Sequence, residues 1–311
     1  NSMISKAGLR CALHKSCARR GVYSVAIGFL LTSALAFALM SIFVRMAGDL
    51  PTLQKAFFRN IVSVVVAVYM LYKGGDGFSV QKRNRLALLV RAASGTAALA
   101  ACYYSFDHMI IADATILAKI APFFTLLFSA WLMKEKVRKV EWFVLTVVFV
   151  GCILVIKPSF DFAAMTPALI AAFSGLGTGV SVTMVRFLQL RGEKSETIVL
   201  AFSSFSCLLF LPSLLLGYVP MSWQQFAYLM GAGTAATIGQ FSMSAAYKRA
   251  PSSVLSVFEY SQVLFSAVLG MIIFAQFPDA YSLLGYVIVI GASVIMAVYG
   301  KRKEEPKNDH V

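Results

Sequence analysis

The sequence predicts an all-α membrane protein with ten transmembrane helices, arranged as an inverted repeat of two five-helix halves. Three features support this prediction. The 311-residue chain is 59% hydrophobic and only 14% charged, with a mean hydropathy of +0.76, which is too apolar for a soluble chain of this size. Its apolar residues form runs of bilayer length, and short motifs of the first half return in the second half.

Ten apolar segments are joined by short polar connections, and each approaches the roughly 20 residues that a helix needs to cross a bilayer. The segments span residues 23–46, 53–72, 86–106, 109–133, 140–156, 166–189, 197–217, 223–247, 252–274 and 281–300. They divide the chain into a basic N-terminal segment (1–22), a first repeat (23–157), a second repeat (158–300) and a charged tail (301–311).

The net charge of +14 is distributed as a topology signal. Lysine and arginine cluster at alternate joints, whereas the joints between them carry only Arg45, Lys55 and Lys157. By the positive-inside rule, both termini are predicted to be cytoplasmic, and an even number of spans agrees with this. We expect a multi-pass protein of the bacterial cytoplasmic membrane. No single basic face is formed, so nucleic acid is not an expected partner.

The repeat is visible in short motifs. Gly-Thr-Ala-Ala at 95–98 returns at 233–236, and Leu-Phe-Ser-Ala at 127–130 returns at 264–267. The motif Ser-x-Leu at 33–35 likewise returns at 174–176. All these motifs recur 137 to 141 positions downstream. A common period of this length indicates an internal repeat. Because five spans is an odd number, the second half is predicted to enter the membrane upside down.

The fourth and ninth spans carry polar residues where hydrocarbon is deepest. Lys119 lies near the middle of the fourth span, and Glu259 lies in the ninth. A charge at such a depth costs at least ~2.5–3.5 kcal/mol, so each needs a partner or a polar cavity. Lys119 could contact a substrate carboxylate or phosphate, and Glu259 an amine or a coupling proton. The alternative is a fixed Lys119–Glu259 ion pair that holds the two halves together.

Further candidates surround these charges. Pro122 should kink the fourth helix and act as a hinge or gate, or as a static bend. Arg59 lies near the mouth of the path, where it could attract an anion, snorkel to headgroups or pair with Asp113. Three further side chains could line the cavity: Tyr104, Tyr260 and Gln262. Arg91, near the start of the third span, is interpreted as a topology signal.

The sequence has no convincing motif for binding a dinucleotide, a metal ion or ATP. Gly175-x-Gly177-x-Gly179 resembles a dinucleotide loop only as a string, and in a membrane helix such small residues predict close helix packing. The three histidines, His14, His108 and His310, are far apart. We therefore expect no metal, no cofactor and no catalytic residue, and the chain has no phosphate-binding loop that would indicate ATP as the driver.

Some motifs carry a resemblance to a known family. They are Phe-Phe-Arg-Asn at 57–60, Ala-Asp-Ala-Thr at 112–115, and Phe-Glu-Tyr-Ser-Gln at 258–262. In their order and spacing, the chain resembles the drug/metabolite transporter superfamily, in the branch built from two EamA domains. The resemblance implies EamA repeats at 23–157 and 158–300, and a central cavity lined by the third, fourth, eighth and ninth helices. Lys119 departs from the family pattern, which would have an apolar or small residue there.

The resulting functional hypothesis is a secondary transporter that moves a small polar or zwitterionic metabolite by alternating access. Its cargo would be amino-acid-like, vitamin-like or cofactor-like. Proton coupling through Glu259 and uncoupled exchange both stay open, membrane lipids are expected partners, and a homodimer is compatible with the fold. Two alternatives come from other classes: an intramembrane lipid-modifying enzyme, and a membrane sensor or scaffold that does not transport.

Overall fold

The computed structural model describes residues 2–75, 79–133, 162–247, 249 and 258–304, together with 143, 144, 146, 147, 150, 151, 153 and 154. Within these ranges the chain is helical and contains no strand. The ten helices with defined bounds are α1 (Ser2–Met46), α2 (Thr52–Lys73), α3 (Arg85–His108), α4 (Ile111–Ala118), α5 (Ala121–Met133), α6 (Phe162–Leu190), α7 (Ser195–Gly217), α8 (Trp223–Tyr247), α9 (Ser261–Phe274) and α10 (Ala280–Glu304), and a short 3-10 helix, Lys82–Asn84, precedes α3.

Five segments are long and apolar enough to cross a membrane by length and composition. They are Ser24–Met46, Thr52–Lys73, Lys82–His108, Met165–Leu190 and Ser195–Gly217, which correspond to the first, second, third, sixth and seventh predicted spans. The protein is therefore an all-helical, multi-pass membrane protein. The predicted fifth span, 140–156, falls mostly outside the described residues.

Both ends of the helical bundle extend further than the hydropathy pattern indicated. α1 begins at Ser2, so the basic N-terminal segment continues the first membrane helix, and α10 continues to Glu304 into the predicted tail. The physical reason at the N-terminus is that residues 2–22 contain many good helix formers and no proline to end a helix. Charge ends a membrane span, but it does not end a helix.

The predicted fourth span is two helices instead of one kinked helix. α4 ends at Ala118, and α5 begins at Ala121. The turn between them has hydrogen bonds of the 3-10 type, between residues three apart: the Ile120 N–H donates to the carbonyl of Leu117 at 3.2 Å. Pro122, the second residue of α5, has no N–H to donate to the preceding turn, whereas a proline in the first turn of a new helix loses nothing. The break therefore lies just before Pro122.

The long helices pack in pairs that join the two halves of the chain. α1 lies along α8 and α9, whereas α6 lies along α3 and along the α4–α5 segment. α2 packs on α7 and α8, and α3 packs on α7. Interhelical hydroxyl contacts accompany this packing: Thr96 of α3 lies 2.5 Å from Ser206 of α7, and Ser63 of α2 lies 3.0 Å from Thr237 of α8.

Three glycines allow α6 to approach its neighbours. A Cβ at Gly175 would lie 3.0 Å from the carbonyl oxygens of Ala118 and Leu117, at the end of α4. A Cβ at Gly177 would lie 3.1 Å from Ala98 Cβ of α3, and one at Gly179 would lie 2.9 Å from the carbonyl of Ala121 in α5. The prediction that this glycine stretch serves helix packing is thereby confirmed.

Candidate functional site

The break in the fourth span faces a second break in the ninth. Residues 258 and 259 are helical, Tyr260 lies in a turn, and α9 begins at Ser261. The Tyr260 hydroxyl donates a hydrogen bond of 3.0 Å to the backbone carbonyl of Lys119. Tyr260 is 2% exposed, so this bond satisfies a carbonyl that the end of α4 would otherwise leave without a helical partner. The two interruptions thus form one structural unit.

The two predicted charges lie on either side of this unit. Lys119 is the residue at which α4 ends, and Glu259 immediately precedes Tyr260. Their charges attract each other, and Cys102 of α3 lies nearby. Gln262 is half-buried in the first turn of α9. The structure therefore brings Lys119, Glu259, Tyr260 and Gln262 to the same two helix breaks.

Two other predicted residues have different surroundings. Pro122 lies in the first turn of α5, three positions after Lys119. Tyr104 lies in the last turns of α3, where its ring stacks on that of His108 with centroids 4.0 Å apart. The described contacts of Tyr104 therefore place it near the end of a helix, whereas Lys119 and Tyr260 lie at the breaks.

Arg59 is buried inside the bundle. Its side chain is 2% exposed, and its Nη1 donates to the Asn60 side-chain oxygen at 2.6 Å. Snorkelling to the headgroups along the outer surface of α2, one of the roles considered for this residue, does not occur in this structure, because a snorkelling side chain would be exposed. The guanidinium instead lies among α2, α3 and α7, where its charge acts on Tyr103 and Cys207.

Arg91, interpreted from the sequence as a topology signal, is buried inside the bundle. It is 6% exposed, donates to Ser181 Oγ of α6 at 2.5 Å, and lies over the Phe202 ring of α7, 4.4 Å from the centroid. Gly95, one turn later, leaves the room that this guanidinium occupies. The signal in the sequence was an arginine followed by a glycine four residues on, but its burial depends on α6 and α7, which are far away in the chain.

Asp113, considered from the sequence only as a partner for Arg59, has a different partner in the structure. Its side chain is 4% exposed in α4, and its Oδ1 accepts a hydrogen bond of 2.6 Å from the Tyr286 hydroxyl of α10. A short hydrogen bond to a carboxylate is a strong contact in a membrane interior. It ties the first half of the broken helix to the last helix of the chain.

Polar networks close both ends of the bundle. At the Arg45 end, where α1 ends and α2 begins, the Arg45 Nη1 donates to the carbonyls of Phe106 and Met109, at 2.9 and 2.6 Å. With its amide oxygen turned to this guanidinium, Gln276 accepts from Arg45 Nη2 at 2.8 Å. Lys55 Nζ and Asp107 Oδ1 form an ion pair of 2.7 Å at the same end.

At the Glu193 end, where α6 ends and α7 begins, a carboxylate takes the central position. Glu193 Oε1 accepts from Asn84 Nδ2 at 2.8 Å and from the backbone N–H of Gln81 at 3.1 Å. The Asn84 side-chain oxygen in turn accepts from Arg191 at 3.2 Å. At the Arg45 end the corresponding connection is made by Gln54, whose amide exchanges two hydrogen bonds with the backbone of Val219. Each network joins the two halves.

Two further observations concern a metal site and a surface groove. Across the described parts of the chain, no group of three or more His, Cys, Asp or Glu residues could hold a metal ion. An open groove of about 370 Å³ lies between α2 and α7. Its lining is mainly apolar and includes the exposed side chains of Val65 and Leu208. Such a surface suits contact with lipid chains.

The contact between the two breaks can be tested with Tyr260→Phe. Removal of the hydroxyl should lower the free energy of unfolding by about 1 kcal/mol or more, because the partly buried Lys119 carbonyl loses its donor while the ring stays in place. The measurement is the unfolding midpoint of the purified protein in detergent. Tyr281→Phe is the matched control, because Tyr281 is 65% exposed. An equal midpoint for both variants would show that the contact does not hold the breaks together.

Comparison with known proteins identifies a matching family and relatives that are named as transporters. Residues 24–157 match the EamA-like transporter family. The pseudopaline exporter of Pseudomonas aeruginosa is 28% identical over 267 residues, covering 84% of this chain and 92% of the relative. The S-adenosylmethionine uptake transporter of Rickettsia bellii is 23% identical over 292 residues, covering 92% and 97%.

The fold has also been seen in a crystal structure. That chain superimposes with a TM-score of 0.68 at 17% sequence identity, covering 89% of this chain and 99% of the other. The similarity of fold therefore extends over both halves, beyond the residues that the family model matches. The expected resemblance is confirmed: residues 24–157 form an EamA-like transporter domain, and relatives that match most of the chain are named as transporters, consistent with the drug/metabolite transporter superfamily.

Proposed function

We propose that the protein is a secondary transporter that moves a small polar or zwitterionic metabolite across the membrane by alternating access. The observation that carries this proposal is the pair of facing helix breaks, joined from Tyr260 to Lys119. In transporters, discontinuous helices leave backbone and side-chain groups available at mid-membrane, and substrate sites form there. Lys119, Glu259 and Gln262 supply charge and hydrogen bonds at this place, and Pro122 lies where α5 would move against α4.

We also propose the ten-helix inverted repeat for this architecture. The helix pairing supports it, because exchanging the first five spans with the last five turns one set of contacts into the other. The α1–α8 and α1–α9 contacts become α6–α3 and α6 with the α4–α5 segment, and α2–α8 becomes α7–α3. The two breaks, at 119 and 260, are 141 positions apart, which is within the 137 to 141 positions that separate the repeated motifs.

The proposed location is the bacterial cytoplasmic membrane, with both termini in the cytoplasm. The alternation of basic joints supports this orientation, which makes the Arg45 end extracytoplasmic and the Glu193 end cytoplasmic. Polar networks at both ends are what a rocking mechanism requires, because one of them must open while the other stays closed. One relative is named as an exporter and another as an uptake transporter, so the relatives support transport without choosing its direction.

Reconstitution into liposomes tests the proposal. Purified protein should carry at least one of a panel of amino acids, vitamins, nucleotide-derived cofactors and quaternary amines in a saturable counterflow assay. Lys119→Ala and Glu259→Gln should each reduce that flux at least about tenfold, since each removes a charged contact worth roughly 1.5–3 kcal/mol. A further comparison at two pH gradients separates proton coupling through Glu259 from uncoupled exchange.

Two results would contradict parts of this proposal. A folded protein that binds a member of the panel saturably, but moves none of them across the bilayer, would be a sensor or scaffold. Flux that is unchanged in both charge variants would keep transport but remove these residues from the substrate path. Lys73→Ala, at the end of α2, is a suitable control, because Lys73 is exposed.

A further inference from the structure

Two buried arginines, Arg59 and Arg91, have no role in the broken helices. They are 2% and 6% exposed, and each lies about two turns inside its helix. α2 begins at the Arg45 end and α3 at the Glu193 end, so the two guanidinium groups approach mid-membrane from opposite sides. A charge at the centre of a membrane helix costs ~2.5–3.5 kcal/mol on insertion scales, and these two lie part of the way to that depth. Ionisable residues buried within membrane spans usually mark functional positions.

The polar atoms around these arginines are hydrogen-bond donors without acceptors. Arg59 Nε, Arg91 Nε, Asn60 Nδ2 and Tyr103 OH are all buried, and within the described residues none of the four has a hydrogen-bond partner. Three of them can only donate, and a buried donor left unpaired costs about 1–3 kcal/mol. The acceptors close by are already in use, since the Asn60 oxygen takes Arg59 Nη1 and Ser181 takes Arg91 Nη1.

The charged groups near these donors are predominantly positive. Arg59 and Arg91 are close enough to repel each other electrostatically. Arg59 and Lys119 both lie close enough to act electrostatically on Cys102 of α3, so two cations flank that part of the helix. Two nearby carboxylates are engaged elsewhere, because Asp107 is held by Lys55 and Asp113 accepts from Tyr286. The interior between α2, α3 and α7 is therefore rich in positive charge and in donors.

We infer that this interior binds an oxyanionic group of the transported solute, a carboxylate or a phosphate, through Arg59, Arg91, Asn60 and Tyr103. The inference rests on the proposed transport function and narrows its substrate class to organic anions. Guanidinium groups suit this task, since their planar donors match the geometry of both oxyanions. Lys119 adds a third cation on the side of the helix breaks. All four residues are almost sealed in this conformation, so the anion reaches them when the helices rearrange.

The test measures ligand-induced thermal stabilisation of the full chain in detergent, with succinate, citrate, glycerol 3-phosphate and choline as probes at constant ionic strength. We expect at least one of the three anions to stabilise the protein, and choline to have no effect. Succinate and citrate report a carboxylate ligand, whereas glycerol 3-phosphate reports a phosphate. In Arg59→Gln and Arg91→Gln the apparent affinity for that anion should fall at least about tenfold. Arg85→Gln, at the exposed start of α3, is the matched control and should bind as the unmodified protein does.

Tyr103→Phe separates binding from folding. Its hydroxyl has no partner in the described structure, so the substitution should leave the melting temperature without ligand unchanged or raised. The affinity for the anion should nevertheless fall about three- to tenfold, the equivalent of one neutral hydrogen bond. A purely structural role for these residues would produce the opposite pattern. This variant keeps the inference testable even if an arginine variant fails to fold.

Two results would overturn the inference: stabilisation by choline alone, or an anion effect that persists undiminished in both arginine variants and in Tyr103→Phe. Flux measured in liposomes with the same four probes separates this inference from the transport proposal. If choline crosses the membrane while no anion binds or crosses, transport stands and the anion site is wrong. If an anion binds through these residues but no probe crosses, the site stands and the transport proposal is wrong.

Discussion

Gly179→Ala is expected to destabilise the protein by about 2–3 kcal/mol, although alanine is the better helix former. The new Cβ would lie 2.5 Å from Phe124 Cβ, 2.9 Å from the Ala121 carbonyl and 3.1 Å from the Thr125 nitrogen. None of these atoms can rotate away, because all belong to the backbone of α5 or are attached to it directly. α6 must therefore move away from α5, and overpacking against backbone atoms costs about 1–3 kcal/mol and occasionally more, which outweighs the gain in helix propensity.

The matched control is Gly28→Ala in α1. A Cβ there would meet nothing within 4 Å, so the same substitution should stabilise the protein by up to about 1 kcal/mol through helix propensity alone. Both variants are measured by unfolding in mixed detergent and SDS micelles. Opposite signs are expected, and counterflow should be lost only in Gly179→Ala, because α6 packs directly on the broken helix. Two variants with the same positive shift would show that α6 and α5 do not pack as closely as described.

The membrane spans could be predicted because hydrocarbon imposes its thickness on each segment. Long apolar runs such as 24–46 and 195–217 can cross a bilayer only as helices, because a helix satisfies its own backbone hydrogen bonds, and the structure has helices there. The glycines of α6 were predictable for a similar reason, since small residues spaced along one membrane helix have few uses besides close packing.

The sequence predicted a kink beside Lys119 but not a complete break, because the break depends on tertiary contacts. Pro122 alone indicates a weakened helix between about residues 118 and 122. What decides between a kink and a complete break is whether a distant group satisfies the freed backbone. Here the Tyr260 hydroxyl, 141 positions away, reaches the Lys119 carbonyl, and Gly175 lets α6 approach the end of α4.

The misjudged arginines have a related explanation. Hydropathy gives the approximate depth of a charge, but it does not give the face of the helix on which the charge lies. Arg91 is close enough to the end of its span to look like a topology signal, yet the neighbours that bury it are Ser181 and Phe202. Asp113 looked like a partner for Arg59, and in the structure it binds Tyr286, which is 173 positions away. Such pairings become visible only when the bundle is assembled.

The ion pair at the Arg45 end gives the largest expected loss of stability. Lys55 Nζ lies 2.7 Å from Asp107 Oδ1, with side-chain exposures of 1% for the lysine and 17% for the aspartate. Asp107→Ala removes the partner of an ammonium group that is almost completely buried. Removing one member of such a pair leaves an uncompensated charge, which typically costs 3–5 kcal/mol. Because Asp107 is partly exposed, we expect about 3 kcal/mol in an SDS unfolding titration.

A double-mutant cycle separates the pair from the rest of the network, because it measures the coupling between the two residues directly. Lys55→Met combined with Asp107→Ala should recover most of the loss, since the costly species is the unpaired ammonium group and the methionine chain fills the same volume. Asp49→Asn is the control, because Asp49 is exposed in the loop at this end and should change stability by less than about 0.5 kcal/mol. Additive losses in the double variant would mean that Lys55 and Asp107 act independently. Recovery would instead show that the two residues act as a coupled pair that joins α2 to the end of α3.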